Sequence, residues 1–195
     1  MSKQYGILID ESRCIGCDAC IVACKQENDL PAKLDDIPGT IGFSYIRVET
    51  IGPEGEYPDL SAMSYRPIMC MHCNNPPCIP ACPAEAIFKR DDGIVLIEEQ
   101  ACTGCEACLE ACPYDVVRMD HTRSIARKCT FCENLVDQGL DPACVSACNG
   151  GALFFGDVSD ADSDISRIIQ KNQEHCLKLK PEGGTEPSNY YLVFG

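Results

Sequence analysis

Apolar and polar residues alternate in short bursts along this chain, and each burst ends at glycine, proline or a cluster of acids. YGILID (5–10) reads as a strand. SYIRVETIG (44–52) reads as another, followed by a Gly/Pro/acidic loop, PEGEYPDLS (53–61). AIFKR and IVLIEE flank Asp91-Asp92-Gly93, where the glycine supplies the positive φ of a tight hairpin turn. VVRMD (116–120) and IARKC (125–129) can pair around HTRS, and GALFFGDV (151–158) reads as a final strand. A helical period governs DSDISRIIQKNQEH (162–175), with Ile165, Ile168 and Ile169 on one face and Ser163 as N-cap. The closing LKPEGGTEPSNYYLVFG (179–195) is broken by Pro and Gly and then turns aromatic. It reads as an arm that docks on a partner, with a strand closing the sheet as the alternative. The pattern as a whole predicts an α+β chain of short strands, hairpins and short helices.

A length of 195 residues allows one large domain or two small ones. No apolar run approaches the ~20 residues of a membrane-spanning helix. The N-terminus has neither an apolar signal core nor twin arginines, so the chain is expected to carry no export signal of its own. Its formal charge of −14 argues against nucleic acid and against anionic membrane surfaces as partners.

Cysteine changes this picture: the chain has 17. A disulfide scaffold, zinc sites and iron–sulfur clusters are the candidates. The odd count and the missing signal speak against the first, and zinc usually takes Cys in pairs a dozen or so residues apart. The thiols instead form four groups of four. Cys14, Cys17, Cys20 and Cys24 follow C-x2-C-x2-C-x3-C, and Cys102, Cys105, Cys108 and Cys112 repeat it. Cys70, Cys73, Cys78 and Cys82 follow C-x2-C-x4-C-x3-C; Cys129, Cys132, Cys144 and Cys148 follow C-x2-C-x11-C-x3-C. The first spacing is that of a bacterial [4Fe–4S] ferredoxin, in which the fourth Cys ligates a different cluster from the first three. Small residues belong where backbone crowds a cube, and Gly16, Ala19, Gly104 and Ala107 stand there. Four groups make two two-cluster, ferredoxin-like modules, with a short helix expected after each third cysteine. Proline follows Cys82 and Cys112, but Lys25 follows Cys24 and Asn149 follows Cys148.

The pieces RPIMCMHCNNPPCIPACPAEAI, DDGIVLIEEQACTGCEACLEACPYDVV, ARKCTFCENLVDQGLDPACVSAC and GALFFGD resemble the four-cluster iron–sulfur subunit of the DMSO-reductase family of molybdopterin oxidoreductases. The resemblance covers almost the whole chain. It implies an electron-transfer subunit with four [4Fe–4S] clusters, non-catalytic itself and docked on a large subunit holding a molybdenum or tungsten bis-pterin. A membrane anchor or soluble carrier is a further partner such a complex can have. Carried over position by position, it implies clusters on Cys14, Cys17, Cys20 and Cys148; on Cys24, Cys129, Cys132 and Cys144; on Cys70, Cys73, Cys78 and Cys112; and on Cys82, Cys102, Cys105 and Cys108. It also implies modules at 1–24 with 129–158 and at 70–128, in a pseudo-twofold repeat. An insertion at 25–69 and a C-terminal helix and docking tail at 159–195 complete the division. A free-standing polyferredoxin is the alternative function, disfavoured by the insertions (25–69 and 133–143) and by the aromatic tail, which a shuttle would not need. Several members of the family it resembles stay in the cytoplasm, which is the expected location here, with co-export to the periplasm or membrane beside a signal-bearing partner as the alternative.

Four oxidised cubanes, about two negative charges each, take the formal charge from −14 to about −22. Arg13, Lys25, Arg127 and Lys128 adjoin ligands of the first and fourth groups, where positive charge would raise cluster potentials. His72 reads as a hydrogen-bonding or surface residue, His121 and His175 as ordinary polar positions. Met69 and Met71 read as packing, and Cys176 as an ordinary thiol outside the motifs.

Overall fold

The structure is a computed structural model and describes residues 3–31, 43–53, 55–56, 58–59 and 63–194. The expected insertion at 25–69 and the loop at 53–61 lie in part outside these residues.

Strand β1 (Tyr5–Asp10) delivers the chain to the first cysteine group, and helix α1 (Ala19–Glu27) carries it away. Three antiparallel hairpins follow: β2 (Arg47–Ile51) with β3 (Ser64–Ile68), β4 (Ile87–Lys89) with β5 (Val95–Ile97), and β6 (Arg118–Asp120) with β7 (Ile125–Arg127). Helix α2 (Ala107–Ala111) lies between the last two. After β7 come α3 (Glu133–Val136), α4 (Ala143–Ser146), β8 (Leu153–Asp157) and α5 (Asp164–Lys171). The chain closes with β9 (Cys176–Leu177) and β10 (Tyr190–Leu192). Each cysteine group is thus entered from a strand, β1, β3, β5 or β7, so paired backbone fixes the start of every loop that follows.

The largest sheet runs β8-β1-β10-β9. Both faces of β1 are covered, which is why GILI is an unbroken apolar run. Ile7 and Ile9 enter the main core with Tyr191, Phe131 and Leu153. Leu8 points the other way, against Ile165 of α5 and Leu192. The Ser163 hydroxyl caps α5, accepting from the Ser166 amide at 3.2 Å. Among the described residues no helix is long and apolar enough to cross a membrane.

Two expectations are corrected. No helix follows Cys78; residues 77–81 are turns, because Pro80, which has no amide proton, interrupts the segment. The C-terminal stretch is not a docking arm. β10 is an inner strand, parallel to β1 in the register Leu8↔Tyr190 and antiparallel to β9. Its alternation explains the placement: Tyr191 is fully buried in the main core, and Leu192 is buried beneath α5.

Candidate metal centres

One local turn recurs in all four cysteine groups. The residue just before the second cysteine has positive φ: Gly16 (64°), His72 (41°), Gly104 (67°) and Phe131 (56°). At Gly104 any Cβ would come within 2.4 Å of the Ser124 carbonyl oxygen, so glycine is required there. His72 and Phe131 hold the same conformation without glycine, at a cost of roughly 1–2 kcal/mol each. Turns that aim backbone amides inward also recur after the fourth cysteine. Cys82 Sγ accepts from the Ala86 amide at 3.3 Å and Cys148 Sγ from the Ala152 amide at 3.2 Å. Cys102 and Cys129 accept from the amides of Ala126 and Phe131, both at 3.4 Å.

These turns bring together cysteines that are far apart in sequence. Cys14, Cys17, Cys20 and Cys148 line one cavity. Cys70, Cys73, Cys78 and Cys112 line a second, and Cys82, Cys102, Cys105 and Cys108 a third. Cys24, Cys129, Cys132 and Cys144 are all buried, and each is near enough to others of the four that their charges would repel. Neighbouring sets also lie close enough for their charges to act on one another. Cys20 acts on Cys24 and Cys144, Cys70 on Cys129, and Cys108 on Cys78. The four sets therefore form a row, and an exposed thiol stands at each end, Cys17 in the first set and Cys105 in the last. Cys176 lies apart from all four, packed beneath α5.

Burial pushes the Cys20, Cys73 and Cys78 thiols up to about 12 and Cys108 up to about 11, with nearby thiols adding to each shift. Cys24, Cys129 and Cys144 are raised too, again chiefly by burial. Such thiols ionise together only when positive charge enters with them, as bound metal ions would supply. Among the described residues no three His, Cys, Asp or Glu side chains converge on a point that would hold a single ion. The thiols ring a space instead, as a polynuclear cluster requires. A further sign is His72, wholly buried and stacked on Phe131 with ring centres 3.6 Å apart. Its Nδ1 accepts from the Val95 amide at 3.0 Å, so the proton sits on Nε2, which makes no hydrogen bond of normal geometry among the described residues. Burial, reinforced by Lys128, holds this imidazole neutral. His72 is thus a core residue between two cysteine sets, not a surface one.

Lys25 is explained by α1, which continues three residues past Cys24. After Cys82, Cys112 and Cys148 the chain instead turns through a left-handed residue three positions on, at Glu85, Asp115 and Gly151. Proline suits the start of such a turn and would break the helix at position 25. The Lys25 ammonium reaches the Pro31 carbonyl at 3.1 Å.

Nothing in the cysteine spacing hints at how the tail braces the second group. Asn189 Nδ2 donates to the Cys70 carbonyl at 3.1 Å, while its Oδ1 accepts from the Ile7 amide at 3.0 Å. Ser188 Oγ donates to the His72 carbonyl at 2.7 Å. The Asn75 amide donates to the Thr185 carbonyl at 3.0 Å, and the Thr185 hydroxyl meets Tyr114 OH at 2.5 Å. Even the shortest of these spans, Tyr114 to Thr185, is 71 residues, far beyond the reach of any local motif.

Thiols in fours around closed spaces, with amides aimed at sulfur, define an iron–sulfur protein. Two families described as 4Fe-4S dicluster domains match, over residues 61–158 and 13–86. The chain is 40% identical over 97% of its length to a tetrathionate reductase subunit of Salmonella typhimurium, covering 72% of that protein. It is also 40% identical over 97% of its length to a putative dimethyl sulfoxide reductase iron-sulfur subunit of Halobacterium salinarum, covering 79%. Against a thiosulfate reductase electron transfer subunit of Salmonella typhi it is 38% identical over 89% of its length, covering 85%. The chain belongs to the iron–sulfur subunit family of the molybdopterin oxidoreductases. It is an electron-transfer subunit and not a catalytic one.

Proposed function

We propose that the chain holds four [4Fe–4S] clusters in a row and relays electrons to or from a large subunit carrying a molybdenum or tungsten bis-pterin. Each cubane, when bound, takes up and gives back a single electron. The ligand sets are Cys14, Cys17, Cys20 and Cys148; Cys24, Cys129, Cys132 and Cys144; Cys70, Cys73, Cys78 and Cys112; and Cys82, Cys102, Cys105 and Cys108. The single observation that carries this reading is the row itself, four cysteine sets each within electrostatic reach of the next, with exposed Cys17 at one end and exposed Cys105 at the other. The chain's own work is to hold the thiolates, direct amides at sulfur and keep water from the two inner sets. Exposure at the ends gives electrons a way in and a way out.

On this reading residues 1–24 with 129–158 form one ferredoxin-like module around another at 70–128, related by a pseudo-twofold repeat. The insertion at 25–69 and the segment 159–195 flank them. The recurrence of the same turn in all four groups supports the repeat. A membrane anchor or a soluble carrier would serve the end away from the pterin, and the cytoplasm is the proposed location.

Anaerobic purification tests the reading. About sixteen irons per chain, with equal acid-labile sulfide, and a large subunit that stays attached through gel filtration are expected. Zinc in place of iron would overturn the cluster assignment, and a chain that elutes alone with its full iron would be a free-standing polyferredoxin.

A further inference from the structure

Of the four cations beside the cysteine groups, Lys128 stands apart. Arg127 is ion-paired with carboxylates, Glu99 at 3.4 Å and Asp120 at 3.3 Å. Arg13 lies over the Phe154 ring, and Lys25 reaches the Pro31 carbonyl near the surface. Lys128 is only 2% exposed, and it enters none of the ion pairs among the described residues. Its Nζ donates to two backbone carbonyls, Val95 and Cys129, the latter at 3.1 Å. That uses two of three protons and offsets none of the charge.

An ammonium withdrawn from water costs several kcal/mol unless an anion faces it. The space Lys128 lines is the one ringed by Cys70, Cys73, Cys78 and Cys112. The anion is therefore to be sought there. Its position is also rigidly set: Val95 gives its carbonyl to Lys128 and its amide to His72, whose ring stacks on Phe131. Groups two and four and the β4–β5 hairpin are tied together at this one residue.

We propose that Lys128 is the built-in counter-charge of the cluster held by Cys70, Cys73, Cys78 and Cys112, and that it stabilises the reduced form of that cluster. This rests on the four-cluster reading above. The fixed positive charge attracts a reduced cubane more strongly than an oxidised one, because reduction adds one negative charge. The electron gained comes from whichever neighbour in the row donates it, and nothing else is consumed. An inner cluster raised in this way becomes the place where an electron rests between the two ends.

The test uses the full chain with its clusters, alone or in its complex, and two variants, Lys128→Met and Lys128→Arg. In a potential titration followed by EPR, Lys128→Met should lower the reduced-to-oxidised ratio of one cluster at least tenfold at a fixed potential, equal to a fall of about 59 mV for one electron. Lys128→Arg should restore most of it. A Lys128→Met chain with full iron and less than a twofold change in every cluster overturns the proposal. Should that variant fail to fold, the unmodified chain grown with 15N-lysine decides. Pulsed EPR should find a lysine nitrogen coupled to one reduced cluster, and no coupling overturns the proposal. An unmodified chain with fewer than about sixteen irons would instead strike at the four-cluster reading, which separates the two failures.

Discussion

At the scale of single residues, four left-handed positions do the shaping, and they do not share one cause. Gly104 is fixed by the Ser124 carbonyl, and His72 and Phe131 by their burial in the core. Gly139, outside these four, has the same kind of φ, 76°, with no atom of the described residues within 4 Å of its missing Cβ. Gly139→Ala should therefore cost only the conformational penalty, about 1 kcal/mol. Gly104→Ala adds a backbone collision and should also lower bound iron; thermal melting and iron analysis of both variants check the contrast. Asn189→Ala would leave the Ile7 amide and the Cys70 carbonyl unpaired in the interior, at roughly 1–3 kcal/mol for each group. Anaerobic urea denaturation, followed by loss of visible absorbance, should record the drop. The cysteines and the glycines beside them were legible because their rule is local, a matter of spacing within a few residues. Asn189, Ser188 and Thr185 were not, since their partners stand more than 70 residues away and no period links them.

Among the elements, α1 answers why lysine stands after Cys24. A helix that runs to Glu27 needs the amide of residue 25. Lys25→Pro should break it, at about 3 kcal/mol or more, and release iron from the set containing Cys24, while Lys25→Gln should keep both helix and iron. Iron content and circular dichroism distinguish them. The β4–β5 and β6–β7 hairpins and the β1, β2 and β8 strands could be read from alternation and turn residues, and α5 from its period and cap; β3, interrupted by Pro67, could not. The tail could not, because YYLV alternates alike in an arm and in an inner strand; only the partners on both sides, β1 and β9, decide. Removing residues 188–195 would leave Ile7, Leu8 and Ile9 without their neighbour. The shortened chain is expected to be insoluble or to melt well below the full one, whereas loss of a free arm would leave melting unchanged.

For the molecule as a whole, the core and the cysteine sets are the same material. Cys20, Cys24, Cys70, Cys73, Cys129 and Cys144 lie in the main core beside Ile21, Met69 and Tyr191. Chelating the iron under reducing, anaerobic conditions should therefore abolish cooperative melting, since metal binding is then folding free energy; a calorimetric transition that survives complete iron loss would contradict this. The nesting of the sets has another outcome, one that concerns how the molecule is made. Cys14 is the first of these residues to leave the ribosome, yet the cavity it lines stays open until Cys148 emerges. The two cavities lined by cysteines between positions 70 and 112 have all of those cysteines well before that. Metal loading on a growing chain is thus expected to begin in the segment from 70 to 112, and a nascent chain arrested short of Cys148 is expected to carry only the two centres whose cysteines lie in that segment.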